Sequence, residues 1–326
     1  MDKLRCASHT DSGSSSLFAL TKPLKDVLTG RFFLLNGSLH DCNGRSQNVY
    51  LYHMPSFTLE IIFRILGIGA ASGLVLHNGS LYVISDDSAY LYEYSTSEAS
   101  VNRIPLLETV PMENIPKPQK FDFEAIAQRD GTLYVFGSGS TQNRNTVVKI
   151  KYGKCTIHDA SSTYRKLMDF AGIEPSDFNI EGAAFYGSDL YLLQRGNGPL
   201  SRNGIFVTDA DFSGTNIRYT ELTLPLYDGN RFGFTDMAVH REKIYFIAAS
   251  EKALSTYEDG EIAGSVFGAI GIRTLVVEEI FPISKTHKFE GITFDRESAE
   301  SLEFLLCEDS DSHGEAADIY RLSIKK

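Results

Sequence analysis

Short strand-like runs bounded by turn residues, a polar residue recurring at the head of a run every 52–57 positions, and four runs per interval predict an all-β chain. That combination describes a five-bladed β-propeller of four-stranded antiparallel blades. The recurring positions are Ser72, Glu124, Glu181, Thr235 and Glu290. Each follows an apolar residue, and four of them precede a small one: Gly73, Ala125, Gly182 and Gly291. Small residues are expected where inner strands crowd around an axis.

The other runs keep the same phase. Second strands are expected at 81–84, 133–136, 190–193, 244–247 and 304–307, with Asn78-Gly79, Asp130-Gly131 and Gly187-Ser188 as hairpin turns. Third strands are expected at 90–94, 147–150, 204–207, 264–267 and 319–322, and fourth strands at places such as 275–277. The last repeat ends one strand short, and residues 58–66 are placed to supply it from the N-terminal side. The alternative is a six-bladed ring with a degenerate blade from residues 16–53. The chain therefore divides into an N-terminal extension or degenerate blade, 1–53, and a propeller domain, 54–326; Met54 would also serve as an initiator. A helix is expected at 161–171, between the second and third blades, with Asp159 or Ser161 as N-cap and Gly172 and Pro175 as stop signals. The glycine-rich stretch 67–73 joins two strands with no helix behind it, so it is not a dinucleotide loop.

Composition narrows the function classes. The 326 residues carry 31 Lys and Arg against 42 Asp and Glu, a net charge of −11. Nucleic-acid binding needs clustered cations, so it is not expected. Cys6, Cys42, Cys155 and Cys307 show no metal-ligand or disulfide spacing. No run reaches membrane-spanning length, and the polar N-terminus has no apolar signal core; a cytoplasmic monomer without membrane contact is the expectation.

Equivalent first-strand positions of a propeller meet at its axis, so Ser72, Glu124, Glu181, Thr235 and Glu290 are expected to form a ring. Three carboxylates facing one another repel, and a bound cation removes the conflict. Oxygen-only ligands favour a hard ion, with Ca²⁺ ahead of the more demanding Mg²⁺. The residues after the second strands should surround the channel mouth: Asp86 and Asp87, Arg195, Lys252, and Glu308 and Asp309. Arg195 and Lys252 suit a small anionic ligand, with Lys252, Glu308 and Asp309 as further binding residues. Asp86 or Asp87 would orient or deprotonate water beside a metal, which makes Asp86, Asp87 and Arg195 the candidate catalytic residues.

The order Ser72, Glu124, Glu181, Thr235, Glu290 resembles the calcium-activated nucleotidase (apyrase) family. Similar words surround it: 81–87 (LYVISDD), 123–125 with 133–135, 171–173 before Glu181, and 288–292 (KFEGI). The likeness covers roughly residues 58–326 and implies five blades, a central Ca²⁺ in such a ring, and Asp86 or Asp87 and Arg195 as counterparts of the nucleotide-site acid and arginine. The sequence departs from that family after the second blade, at 137–142 (GSGSTQ), and has no Trp, so the family's base-stacking residue and part of its phosphate contact have no counterpart here, and nucleotidase-like and phytase-esterase-like hydrolysis both stay open. The Glu-Gly-Ile words are also similar to bacterial phytase-like esterase propellers and to uncharacterised propeller families. The resulting expectation is a calcium-centred propeller hydrolysing a phosphoester or phosphoanhydride of a small ligand. The alternative is a non-catalytic propeller whose Ca²⁺ is structural and whose mouth binds a small ligand or protein; lactone or carbohydrate hydrolysis is a third class that the ring permits.

Overall fold

A computed structural model describes residues 55–98, 100–196, 201–251, 262–309 and 316–326. The N-terminal segment 1–53, Met54 and Lys252 lie outside the described residues. Strand β1 (Phe57–Leu66) leads into five four-stranded antiparallel sheets. Blade 1 is β2 (Ala71–His77), β3 (Ser80–Ser85), β4 (Tyr90–Ser95) and β5 (Ser100–Pro105). Blade 2 is β6 (Phe123–Arg129), β7 (Thr132–Gly137), β8 (Thr146–Lys151) and β9 (Lys154–Asp159). Blade 3 is β10 (Ile180–Tyr186), β11 (Asp189–Gln194), β12 (Gly204–Asp209) and β13 (Arg218–Glu221). Blade 4 is β14 (Gly233–His240), β15 (Lys243–Glu251), β16 (Ile262–Gly271) and β17 (Val277–Ser284). Blade 5 is β18 (Phe289–Glu297), β19 (Ser301–Glu308) and β20 (Ala316–Lys325), completed on its outer edge by β1.

The five-bladed expectation holds, and so does its closure. β1 pairs antiparallel with β20 from Phe57↔Ile324 to Leu66↔Ala316, and Arg64 clamps Asp318 through two hydrogen bonds of 2.5 and 2.7 Å. The inner strand of blade 5 lies directly against that of blade 1: the Leu76 amide donates to Thr293 Oγ1 at 3.2 Å, and Gly291 packs on Gly73. No gap is left for a sixth blade, so that alternative is excluded. Asn78-Gly79 and Asp130-Gly131 turn with φ of 51° and 81°, and 50° and 71°, the left-handed pairs that hairpins joining twisted strands require. One fourth strand starts later than expected. Leu275 has a φ of 53° and donates its amide to Gly271, so 271–276 form a turn and β17 begins at Val277.

Apolar burial is divided among the blade interfaces. One cluster fills each gap between neighbouring blades, each built from strand residues of alternating phase. Phe123, Phe136, Phe206, Phe234, Phe267, Phe289 and Phe304 are fully buried. Each stabilises the fold by roughly 2–3 kcal/mol over an exposed side chain. The helix α1 (Ser161–Ala171) joins the blade 2–3 cluster through Tyr164 and Leu167. Asp159 Oδ1 accepts the Ser161 amide at 2.8 Å at its start, and Gly172, φ 61°, ends it. Among the described residues no helix is long and apolar enough to cross a membrane.

Candidate functional site

The ring positions share a local geometry that the repeat alone does not reveal. Every inner strand has a register break at its mouth end: between Ala71 and Gly73, Phe123 and Ala125, Ile180 and Gly182, Phe234 and Asp236, and Phe289 and Gly291. Ser72, Glu124, Glu181, Thr235 and Glu290 are therefore the extra residues of five equivalent β-bulges. A bulge frees its residue from the ladder and re-aims the side chain. The small residue behind four of the bulges has a steric cause. A Cβ on Gly291 would stand 2.9 Å from Gly73 Cα, and one on Gly182 would stand 3.1 Å from the Met237 amide nitrogen.

The two hydroxyls turn sideways. Ser72 Oγ donates to the Phe123 carbonyl at 2.5 Å and Thr235 Oγ1 to the Phe289 carbonyl at 2.8 Å, each stitching its blade to the next ring strand. Their oxygens keep lone pairs, but their protons are committed to the backbone.

The three glutamates differ in their neutralising partners. Arg195 Nη1 lies 3.5 Å from Glu181 Oε1, which also accepts a hydrogen bond from Asn179. The arginine reaches there because Gly233 leaves room: a Cβ at that position would be 2.8 Å from Arg195 Nε. Lys288 Nζ lies 3.3 Å from Glu290 Oε1 and 3.5 Å from Asp309 Oδ2. Glu124 has no cation or hydrogen-bond donor of this kind among the described residues. Burial first, and then the Glu181, Asp122, Asp86 and Glu290 charges, push its carboxyl well above the usual range. Burial also raises Glu181, to about 8 against the opposing pull of Arg195, and raises Glu290 against the pull of Lys288 and Arg195.

Glu124 is instead grouped with other acids. One carboxylate oxygen each of Asp86, Asp122 and Glu124 lies within 4.8 Å of the others. Asp86 Oδ2 accepts from Lys120 Nζ at 2.6 Å, whereas its Oδ1 is buried without a partner. Burial raises the Asp86 carboxyl to about 6, with Lys120 opposing the shift. Asp122 Oδ2 accepts from Ser138 Oγ at 2.6 Å and Arg144 Nη1 at 2.7 Å. Its φ of 55° is a left-handed conformation that costs a non-glycine residue about 1–2 kcal/mol. Such strain persists where the surroundings over-determine it, as these contacts do.

The remaining expected mouth residues separate. Asp309 stays at the axis with Lys288. Asp87 folds back to accept from Ser85 Oγ at 2.7 Å. Glu308 is held by His287 Nδ1 at 2.6 Å and Tyr320 Oη at 2.5 Å, on the body of blade 5 rather than over the ring.

Sequence reasoning missed Asp122, Lys120, Arg144, Lys288 and Asp236. A signal existed for two of these. Two residues before each bulge stand Ala70, Asp122, Asn179, Gly233 and Lys288, and this phase supplies polar partners at three blades. Asp236 occupies the position that is glycine or alanine in the other blades. It is 1% exposed, accepts the Ile292 amide on Oδ2 at 2.8 Å, and leaves Oδ1 buried without a partner. Burial pushes its carboxyl well above the usual range.

Fold and site together define a five-bladed propeller whose axis carries an acidic, partly self-neutralised ring. The chain belongs to a family of unknown function (DUF6929), which matches residues 67–324. No curated protein matches it in sequence. Among solved structures it is similar in fold to the glutaminyl cyclase of Myxococcus xanthus, at 12% identity over 82% of this chain and 97% of that one, with a TM-score of 0.45. A luciferin-regenerating enzyme matches at 9% identity over 82% and 95%, TM-score 0.44. A streptogramin B lyase matches at 12% over 82% and 98%, TM-score 0.39.

Proposed function

We propose that the protein is a calcium-dependent hydrolase of small phosphorylated ligands, with its ion held beside the axis at blades 1 and 2. The observation that carries this reading is the unneutralised Glu124 carboxylate grouped with Asp86 and Asp122. Three charges at that spacing repel by about 3.5 kcal/mol per pair at an effective dielectric of 20. Oxygens that each lie about 2.4 Å from one ion are at most about 4.8 Å apart, so the group is of a size that calcium accepts. All donors are oxygen, which fits a hard cation.

Glu124 and Asp122 would hold the ion, with Asp86 bound directly or through water. When bound, calcium would polarise a phosphoryl oxygen and the water beside it. Lys120 and Arg144, held on Asp86 and Asp122, and Arg195, held across the ring on Glu181, would orient the anionic ligand by charge-assisted hydrogen bonds. Asp86 Oδ1, unpartnered and of raised basicity, would accept the proton of the attacking water as the phosphorus–oxygen ester bond breaks. The leaving oxygen takes its proton from solvent.

A screen of nucleotide, sugar and inositol phosphates, with calcium and with EDTA, tests the reading. Calcium-dependent phosphate release that is lost in Asp86→Asn supports it; background rates throughout overturn the enzymatic part.

One observation favours a second reading, a non-catalytic propeller with a structural ion. Arg195 and Lys288 are drawn onto Glu181 and Glu290, so their charge is partly spent within the ring. That reading predicts a calcium-raised melting temperature without turnover.

A further inference from the structure

The opposite face of the propeller carries a second cluster of charge, unrelated to the ring. Blade 2 turns one side of its strands towards blade 3. On that side Ala125, Ala127, Phe136 and Val147 form the apolar core. Farther from the mouth the same side turns polar. Arg129 is paired across the ladder with Thr132, Thr132 with Lys151, and Tyr134 with Lys149. Cross-strand neighbours stand about 5 Å apart, so these make two adjacent rows. The rows open into a cleft of about 490 Å³ whose far wall is Ser188 and the 209–211 segment of blade 3.

The charges in this cleft are unevenly engaged. Neither Lys149 nor Lys151 has an ion pair among the described residues, and the Lys149 ammonium rests 5.5 Å from the centre of the Tyr134 ring. The acids of the far wall are turned onto their own loop. Asp209 accepts from the amides of Thr215 and Asn216, from the Asn216 side chain and from Ser213 Oγ, and Asp211 accepts the Ser213 amide. The Arg129 guanidinium lies 5.7 Å from the centre of the Phe185 ring, and its ion pair among the described residues is with Asp130, at 3.3 Å, whose carboxylate is 86% exposed. So open a pair binds weakly and yields to a better anion.

The arrangement is peculiar to blade 2. The place of Lys149 is taken in blade 1 by Glu93, which bonds Tyr82, in blade 3 by Val207 and in blade 4 by Ala269. In blade 5 it is Arg321, already surrounded by Glu60, Asp295 and Glu303. A chain of net charge −11 thus concentrates three cations at one blade interface and leaves two of them without acid partners.

We propose that this cleft is a binding site for a small phosphate-bearing molecule, with the phosphate among Arg129, Lys149 and Lys151 and the Thr132 and Ser188 hydroxyls at its edge. Guanidinium and ammonium donors around one hollow match the several acceptor oxygens of a phosphate. The site lies at the end of the inner strands opposite the ring and does not depend on calcium.

The test is calorimetric titration of the full chain with inorganic phosphate and with phenyl phosphate, in EDTA and at ionic strength held constant with chloride. Saturable binding is expected for both probes. The Lys149→Glu/Lys151→Glu variant should weaken it about tenfold or more, while Lys243→Ala, a lysine of blade 4 paired with Glu278, should change it by less than about twofold. If the charge-reversed variant does not fold, Lys149→Ala/Lys151→Ala is read in its place, with a loss of about threefold or more expected. No saturable binding, an unchanged affinity in the lysine variants, or an equal loss in Lys243→Ala overturns the proposal.

Discussion

The two sides of the ring solve one electrostatic problem in different ways. On the side of blades 3 and 5, Glu181 and Glu290 receive protein cations, Arg195 and Lys288, each delivered by a loop within reach of the axis. On the side of blades 1 and 2, Lys120 and Arg144 pair directly with Asp86 and Asp122, and Glu124 has no direct ion pair among the described residues, Lys120 acting on it only from a distance. A buried carboxylate without a partner must be protonated or meet an external cation. Five-fold repetition of the backbone therefore does not make five equivalent ligands. The bulges aim the side chains, and the loops decide which ones remain available.

The largest effect should come from breaking the self-neutralised side. Lys288 is 12% exposed and serves both Glu290 and Asp309. Lys288→Met should cost about 3–5 kcal/mol of stability, the usual penalty for leaving buried charges uncompensated. Denaturant unfolding measures it, and a loss below about 1 kcal/mol would show that solvent already screens the pair.

Next comes the available side. Glu124→Gln should weaken calcium binding about 100-fold, equivalent to about 2.7 kcal/mol, whereas Glu181→Gln should change it by less than about fivefold. Calorimetric titration with calcium chloride reads both. Equal losses would place the ion on the axis and abolish the distinction between the two sides. In the wild-type protein, calcium at 100 times its dissociation constant should stabilise the fold by about 2.7 kcal/mol, an increment that EDTA removes.

The repeat made the blades and the ring legible. Period, hairpin glycines and the small residue behind four of the five bulges all follow from one repeated backbone plan. The pairing partners were not legible in the same way, because they come from places the plan does not repeat. Lys120 ends a 3-10 turn (Lys117–Gln119), Arg144 closes another (Gln142–Arg144), and Arg195 depends on the absence of a side chain at Gly233. Glu308 and Asp309 show the limit most directly. They are neighbours at the end of one strand, yet one is bound outward by His287 and Tyr320 and the other inward by Lys288. Alternation along a strand sends adjacent side chains to opposite sides, so a cluster read from adjacency divides in space.

A smaller effect tests whether the ring's spacing is sterically set. Gly291→Ala would place a methyl group 2.9 Å from Gly73 Cα and 2.7 Å from Cys307 Sγ. Overpacking of this kind costs about 1–3 kcal/mol. Because the clash lies between blades 5 and 1, the variant should lower the melting temperature while calcium affinity at Glu124 changes little. A parallel fall in affinity would mean that the inner strands move together and that the two sides are mechanically coupled.

The smallest expected effect lies just outside the ring, where His287–Glu308 neighbours Lys288–Asp309. The hydrogen bond to Glu308 raises the His287 pKa above its ordinary value despite the opposing effect of burial, with further support from the Glu308 and Asp318 charges. A group whose pKa is raised on folding binds its proton more tightly in the native state. Its stabilisation is fully present below the unfolded histidine value of about 6.5 and is lost as pH rises through the folded value. For a pair that is one-third exposed on the histidine side, about 0.5–1 kcal/mol is expected. Wild type and Glu308→Gln should therefore differ most in thermal stability near pH 6 and converge towards pH 9. A stability gap that is flat between pH 6 and 9 would assign Glu308 a purely neutral hydrogen-bonding role through Tyr320. It would also leave the contrast between the inward and outward pairs resting on geometry rather than charge.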